Sequence, residues 1–266
     1  MKNINYIIGI LSIILGLISC DIIPENERLV ESERVQINKN LLLLDFTDQT
    51  CVNCPAASKL IEELIEEYGG ALIPVSVHAY YIFPPPSLLI LVTEQGNEYE
   101  NVFNKSKAHP MGSIDGQMAV TADKWRTEID ARFKIFEETE PPLKMDLFGD
   151  YDSETRNITV KSSITSYDDT ENLKLMIWII ESNIIAAQQT PTGINREYIH
   201  NHIFRESIND TWGETITVEK GKGIETEHQF VLNEKYIAEN VTVIGFIYNS
   251  NTYEIYQTSV VEFISK

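Results

Sequence analysis

Cysteine is scarce, with three in 266 residues. So few cannot staple a disulfide-built scaffold, and the fold must rest on a hydrophobic core. Basic residues are also few: 21 Lys and Arg face 40 Asp and Glu, for a formal charge of −19. A surface of that sign repels phosphate backbones, which excludes nucleic acid as a partner. No apolar run reaches the roughly 20 residues that a membrane helix requires. Internal repeats and low-complexity segments are lacking too. What remains suffices for a core. The chain is 43% hydrophobic and 23% charged, a composition of folded proteins. Its length suits two domains of ordinary size or one large sandwich.

The longest apolar stretch, Tyr6 to Leu17, follows the positive start Met1-Lys2-Asn3. It has the length of a signal-peptide core rather than of a span. Leu17-Ile18-Ser19-Cys20 closes it in the manner of a bacterial lipobox. Residues 1–19 are therefore expected to be a lipoprotein signal peptide, cleaved before an acylated Cys20. A signal anchor that happens to contain a cysteine is the alternative. Residues 20–39, polar and rich in glutamate with Pro24 early, read as a tether from the lipid to an exported body.

The body opens with Leu41-Leu42-Leu43-Leu44-Asp45-Phe46, a run suited to a strand covered on both faces. Beyond Cys51-Val52-Asn53-Cys54-Pro55, residues Leu60, Ile61, Leu64, Ile65 and Tyr68 recur at helical spacing. Gly69-Gly70 stops that helix, and Ala71 to Val77 forms a second apolar strand. The order strand, helix, strand is a βαβ unit. Cys51 and Cys54 thus fall at a helix N-terminus, where unpaired N–H groups and the helix dipole favour a thiolate on Cys51. Pro55 costs little there, since its missing N–H has no required partner. A redox pair, a structural disulfide and a metal site all remain open on these residues, although a zinc site normally needs a second ligand pair.

These residues resemble the thioredoxin superfamily, in which Asp-Phe precedes the redox pair as Asp45-Phe46 does here. The resemblance implies that Asp45 is a buried proton acceptor near the second cysteine. Thr50 stands where the family has an aromatic, and Val52-Asn53 replaces the usual Gly-Pro. The resemblance further implies a cis-proline facing the disulfide, for which His109-Pro110 is the candidate, and a closing helix over Ala122 to Glu138. Residues 79–108, with Pro84-Pro85-Pro86, are expected to be an insertion carrying a helix near Glu98–Lys107.

After Glu140-Pro141-Pro142 the apolar period changes to two, as in Leu143, Met145 and Leu147. Leu173 to Ile180 reads as a buried strand, and Val241 to Tyr248 with Tyr253 to Phe263 as a hairpin. The expected fold class is α/β plus all-β. A thioredoxin-like domain over 40–140 is followed by an immunoglobulin-like β-sandwich over 143–266. With the lipobox and Cys-x-x-Cys-Pro, the pattern Tyr198-x-His200-x-His202, Arg205 and Trp212-Gly213 resembles the outer membrane protein 28-related lipoproteins. That resemblance implies an outer-membrane lipoprotein of a Gram-negative cell envelope, facing the periplasm or the surface. His200 and His202 are either metal ligands or hydrogen-bonded residues bridging strands. His78 ends the second strand. His109 either tunes the thiolate or contacts an incoming peptide, unless it is simply a satisfied polar residue.

Three functions follow. The first is a thiol–disulfide reductase or isomerase, in which Cys51 attacks, Cys54 resolves and Asp45 takes the proton. Its partners are exported disulfide-bearing proteins and an upstream thiol donor, and no cofactor is expected. With no cation in Val52-Asn53 and with Asp45 and Asp48 nearby, the pair is expected near about −270 mV rather than about −120 mV. The second is a binding lipoprotein in which Cys51–Cys54 is a staple, and the third is a copper carrier. Fold alone does not choose among them.

Overall fold

The computed structural model describes residues 38–80 and 89–262. Cys20, most of the tether and Pro84-Pro85-Pro86 lie outside the described residues. The chain begins with β1 (Leu41–Thr47), helix α1 (Cys54–Tyr68) and β2 (Leu72–His78), then α2 (Glu94–Phe103), β3 (Met111–Ile114), β4 (Val120–Thr121) and α3 (Ala122–Glu138). β1 pairs parallel with β2 and antiparallel with β3, so it is central. Alternation sends its leucines to opposite faces. Leu41 and Leu43 pack with Ala57, Ile61 and Leu64 of α1 and Trp125 and Ile129 of α3. Leu42, Leu44 and Phe46 pack on the other side, with Tyr99 and Phe103 of α2. Both faces are covered, which is why the run is continuous.

The expected helix near Glu98–Lys107 lies earlier, at Glu94–Phe103. Thr93 caps it by accepting a hydrogen bond from the Gly96 N–H at 2.9 Å, which fixes where the first turn starts.

Among the described residues the second half has ten strands: β5 (Leu143–Asp152), β6 (Asn157–Ser166), β7 (Leu173–Glu181), β8 (Ile184–Thr190), β9 (Gly193–His200), β10 (Ile203–Ser207), β11 (Glu214–Thr215), β12 (Gly223–Val231), β13 (Val241–Asn249) and β14 (Ile255–Glu262). The sheet β12-β6-β5 faces β7, β13 and β14 as an immunoglobulin-like sandwich, with a core of alternating residues such as Met145, Val160, Ile177 and Val243. The intervening residues of β7 and β13, including Trp178, Ile244 and Phe246, face the other way and complete the core around β1 and β2. No described helix is long and apolar enough to cross a membrane.

The expected separation between residues 140 and 143 needs correction. Strands from both sides of Pro141-Pro142 join one sheet, in the order β14-β13-β7-β10-β2-β1-β3-β4. The link is β10 on β2, where Ile203 pairs with Ser76 and the Ser76 N–H donates to the His202 carbonyl at 2.7 Å. All described residues form one compact unit. The change of period therefore marks a change of architecture inside that unit. Its physical reason is the two-sided β7 and β13, whose outer faces bury apolar surface against the first half.

Candidate redox site

Cys51 and Cys54 are joined as a disulfide with Cα atoms 5.4 Å apart. Cys54 opens α1 and is 2% exposed, whereas Cys51 is half-buried. Asn53 is the N-cap and Pro55 sits in the first turn. The Cys54 N–H donates to the Cys51 sulfur at 3.1 Å. That is the stabilisation expected for a thiolate at a helix N-terminus.

Asp45 lies opposite Ser76 of β2 and Gly112 of β3. By alternation it shares its face of β1 with Leu41 and Leu43, the face that α1 covers. It is fully buried, and neither carboxylate oxygen has a hydrogen-bond partner among the described residues. Burial pushes its carboxyl up to about 7, a rise that the charge of His109 partly opposes. Such a group can take or give a proton at neutral pH.

The His109-Pro110 peptide is cis, as expected. His109 is not placed to contact an incoming peptide, because its side chain is only 5% exposed. It is held between two carboxylates. Nδ1 lies 2.6 Å from Asp48 Oδ2 and Nε2 lies 2.6 Å from Glu100 Oε1. Burial works against the imidazolium, yet these two bonds outweigh it and raise His109 to about 9. Burial likewise opposes the Asp48 carboxylate, which bonds from His109 and Thr50 hold below the usual range. The clamp ties the redox loop, α2 and the proline loop together. It also neutralises Asp48, one of the two upstream carboxylates expected to oppose a Cys51 thiolate.

Sequence reasoning missed the hairpin β8–β9, which reaches from the second half to the redox loop. Gln188, 2% exposed, donates from Nε2 to the carbonyls of Cys51 at 2.9 Å and Asp48 at 3.2 Å. The Gln189 N–H donates to the Gln49 carbonyl at 2.8 Å, and Gln49 Nε2 donates to Ala187 O at 3.0 Å. Between this hairpin and the first turns of α1 lies a cleft of about 400 Å³ that reaches Cys54 and Pro55. His78 and His200 line it, edge to face with ring centroids 5.4 Å apart. Burial depresses both, His200 to about 4, so both are neutral at ordinary pH.

His200 and His202 do not share a strand face. His200 ends β9, and His202 follows in a left-handed turn with φ of 57°. Among the described residues no group of three His, Cys, Asp or Glu is placed to hold a metal ion. The rest of that sequence pattern is structural. Arg205 pairs with buried Glu181 at 3.4 Å and stacks over Tyr236. Trp212 packs edge-on against Tyr99.

A thioredoxin-like domain bearing a Cys-x-x-Cys disulfide, fused through its sheet to an immunoglobulin-like sandwich, defines the class of this protein. The chain belongs to the family described as outer membrane protein Omp28, which it matches over residues 96–262, and it is thereby an outer-membrane protein of a Gram-negative cell envelope. The matched stretch begins after the cysteine pair. No curated protein matches the chain. Among solved structures it is similar to HBP35 of Porphyromonas gingivalis, with TM-score 0.67 and 16% identity over 85% of this chain and 76% of that one. It is also similar to a protein of Agrobacterium tumefaciens, with TM-score 0.53 and 13% identity over 85% and 96% of the two chains. At these identities the likeness is one of fold.

Proposed function

We propose that this is a lipid-anchored thiol–disulfide reductase or isomerase of the cell envelope, held to the membrane by acylated Cys20. The observation that carries this reading is the conjunction of a disulfide at the N-terminus of α1 with a fully buried Asp45, unpartnered among the described residues, on the face that α1 covers. A permanent staple has no use for a carboxyl held near 7, and an uncompensated buried carboxyl is costly. In the reduced protein the Cys51 thiolate attacks a substrate disulfide, forming a Cys51–substrate bond and releasing one substrate thiolate. Cys54, deprotonated by Asp45, then attacks Cys51 and releases the second substrate thiolate. The pair ends as the disulfide described here, and an upstream dithiol returns it to the reduced form. Cys51, Cys54 and Asp45 are the groups assigned to this chemistry, and His109 with Pro110 shapes the loop beside them.

Equilibration with glutathione buffers tests the reading, with an expected potential near about −270 mV. Cys51→Ser should abolish exchange, and Cys54→Ser should trap mixed disulfides. A potential near about −120 mV would overturn the reductase direction. Native resistance to dithiothreitol would favour the staple. Mass spectrometry of the mature N-terminus tests the anchor, with an acylated Cys20 expected and Met1 the refuting result.

A further inference from the structure

The cleft beside the redox pair has one wall, β9, that the second half of the chain supplies. β9 pairs with β8 along one edge, and among the described residues no strand pairs with its other edge. Glu197, Tyr198, Ile199 and His200 all border the cleft. Side chains of successive strand residues point to opposite faces, so four consecutive residues bordering one space place the strand's edge there. An open edge presents outward N–H and C=O groups that pair readily with an extended chain. The edge is also held still, because Gln188 and Gln189 fasten β8 to the redox loop.

The charges of the cleft select among occupants. Glu62 on α1 and Glu197 on β9 both line it. Glu62 already lies 3.6 Å from Nε2 of His202 and the cation Lys59 3.3 Å from Glu63, so the open charge of the cleft is Glu197, which has no ion-pair partner among the described residues. Ile199, 54% exposed, adds an apolar contact at the rim. We propose that the open edge of β9 is a docking strand for an extended, lysine- or arginine-bearing segment of the polypeptide whose disulfide is exchanged at Cys51–Cys54. This rests on the oxidoreductase reading above. Pairing through main-chain groups tolerates many side chains, which suits an enzyme acting on varied exported proteins.

The test uses the oxidised chain and a labelled cysteine-free peptide in which lysine alternates with valine and threonine. Fluorescence anisotropy should show saturable binding. Methylating alternate backbone nitrogens of the peptide removes its donors without touching the protein, and should weaken binding by roughly tenfold or more. Glu197→Lys should weaken it severalfold, with an unchanged circular dichroism spectrum. Equal binding of the methylated and parent peptides, or no effect of Glu197→Lys, would overturn the proposal. So would sedimentation data in which the chain self-associates through this edge. Because the peptide carries no thiol, its binding is independent of redox cycling, which dithiothreitol reduction reads separately. A pair that cycles without peptide binding overturns the docking strand alone. A pair that resists reduction while the peptide binds overturns the oxidoreductase reading instead.

Discussion

His109 is held on both sides by carboxylates that burial has removed from water. Removing its charge leaves Asp48 and Glu100 facing each other, with Lys107, 3.6 Å from Glu100, the one cation paired to either among the described residues. We expect His109→Ala to cost about 3–5 kcal/mol, read as a lower midpoint in urea. With His109 raised to about 9, its contribution is complete below its unfolded value near 6.5 and fades as pH rises through about 9. Asp48 works in the opposite sense, and its share is lost as pH falls through its lowered value. Asp45 behaves differently again. Its carboxyl is raised from 3.8 to about 7, so its share of stability is present below about pH 4 and lost as pH rises to about 7. Asp45→Asn should therefore be more stable than the parent at pH 8, by up to ~4 kcal/mol, while exchanging disulfides more slowly. A variant that loses stability at pH 8 would contradict this account.

Among the elements, the β8–β9 hairpin is the one whose position has the largest effect on the site. Gln188→Ala would strip the Cys51 and Asp48 carbonyls of their buried donor. We expect a loss of about 1–3 kcal/mol, faster amide exchange in residues 48–51 and faster reduction by dithiothreitol. A second constraint lies in β3, opposite Asp45. A Cβ at Gly112 of β3 would fall 2.3 Å from Nε1 of the fully buried Trp125. Gly112→Ala should cost about 1–3 kcal/mol, visible as a lower thermal midpoint. Strands β1, β2 and β7 and helices α1 and α3 were legible in the sequence because their apolar periods reflect burial along one contiguous segment. Cys51 and Cys54 were legible because each carries its chemistry locally, whereas cis Pro110 came through the resemblance to thioredoxins. Gln188 was not, since its partners lie 137 and 140 residues earlier and nothing in its neighbourhood distinguishes it from a solvated glutamine. His200 and His202 looked alike at spacing two. The left-handed φ at His202, which no pattern of apolar residues encodes, takes it out of the strand's alternation while both still border the cleft.

At the scale of the molecule, the halves are bound through one sheet and one core. Leu42, Phe46 and Val75 of the first half pack in the same cluster as Trp178, Phe204 and Phe246 of the second. Gly116, at φ of 80°, approaches so closely that a Cβ would stand 1.9 Å from the Tyr253 carbonyl. We expect a single cooperative transition by calorimetry, and expect residues 38–140 alone to bind a hydrophobic dye rather than fold to a soluble domain. Two resolved transitions would show that the halves are separable.

The point where the chain enters this body has a mechanical consequence. Lys39 is buried, bound to Asp115 at 2.6 Å and to the Ile255 carbonyl, with its ammonium 4.3 Å from the Phe136 ring. Two residues later the chain becomes β1, which lies between β2 and β3 in the middle of the sheet. Under the lipid anchor proposed above, the body would be pulled from that end. The load meets the Lys39 anchorage first and then runs along β1, where the seven residue pairs to β2 resist sliding together instead of unzipping in turn. Flow or a tugging partner would thus strain the mooring before it opened the fold.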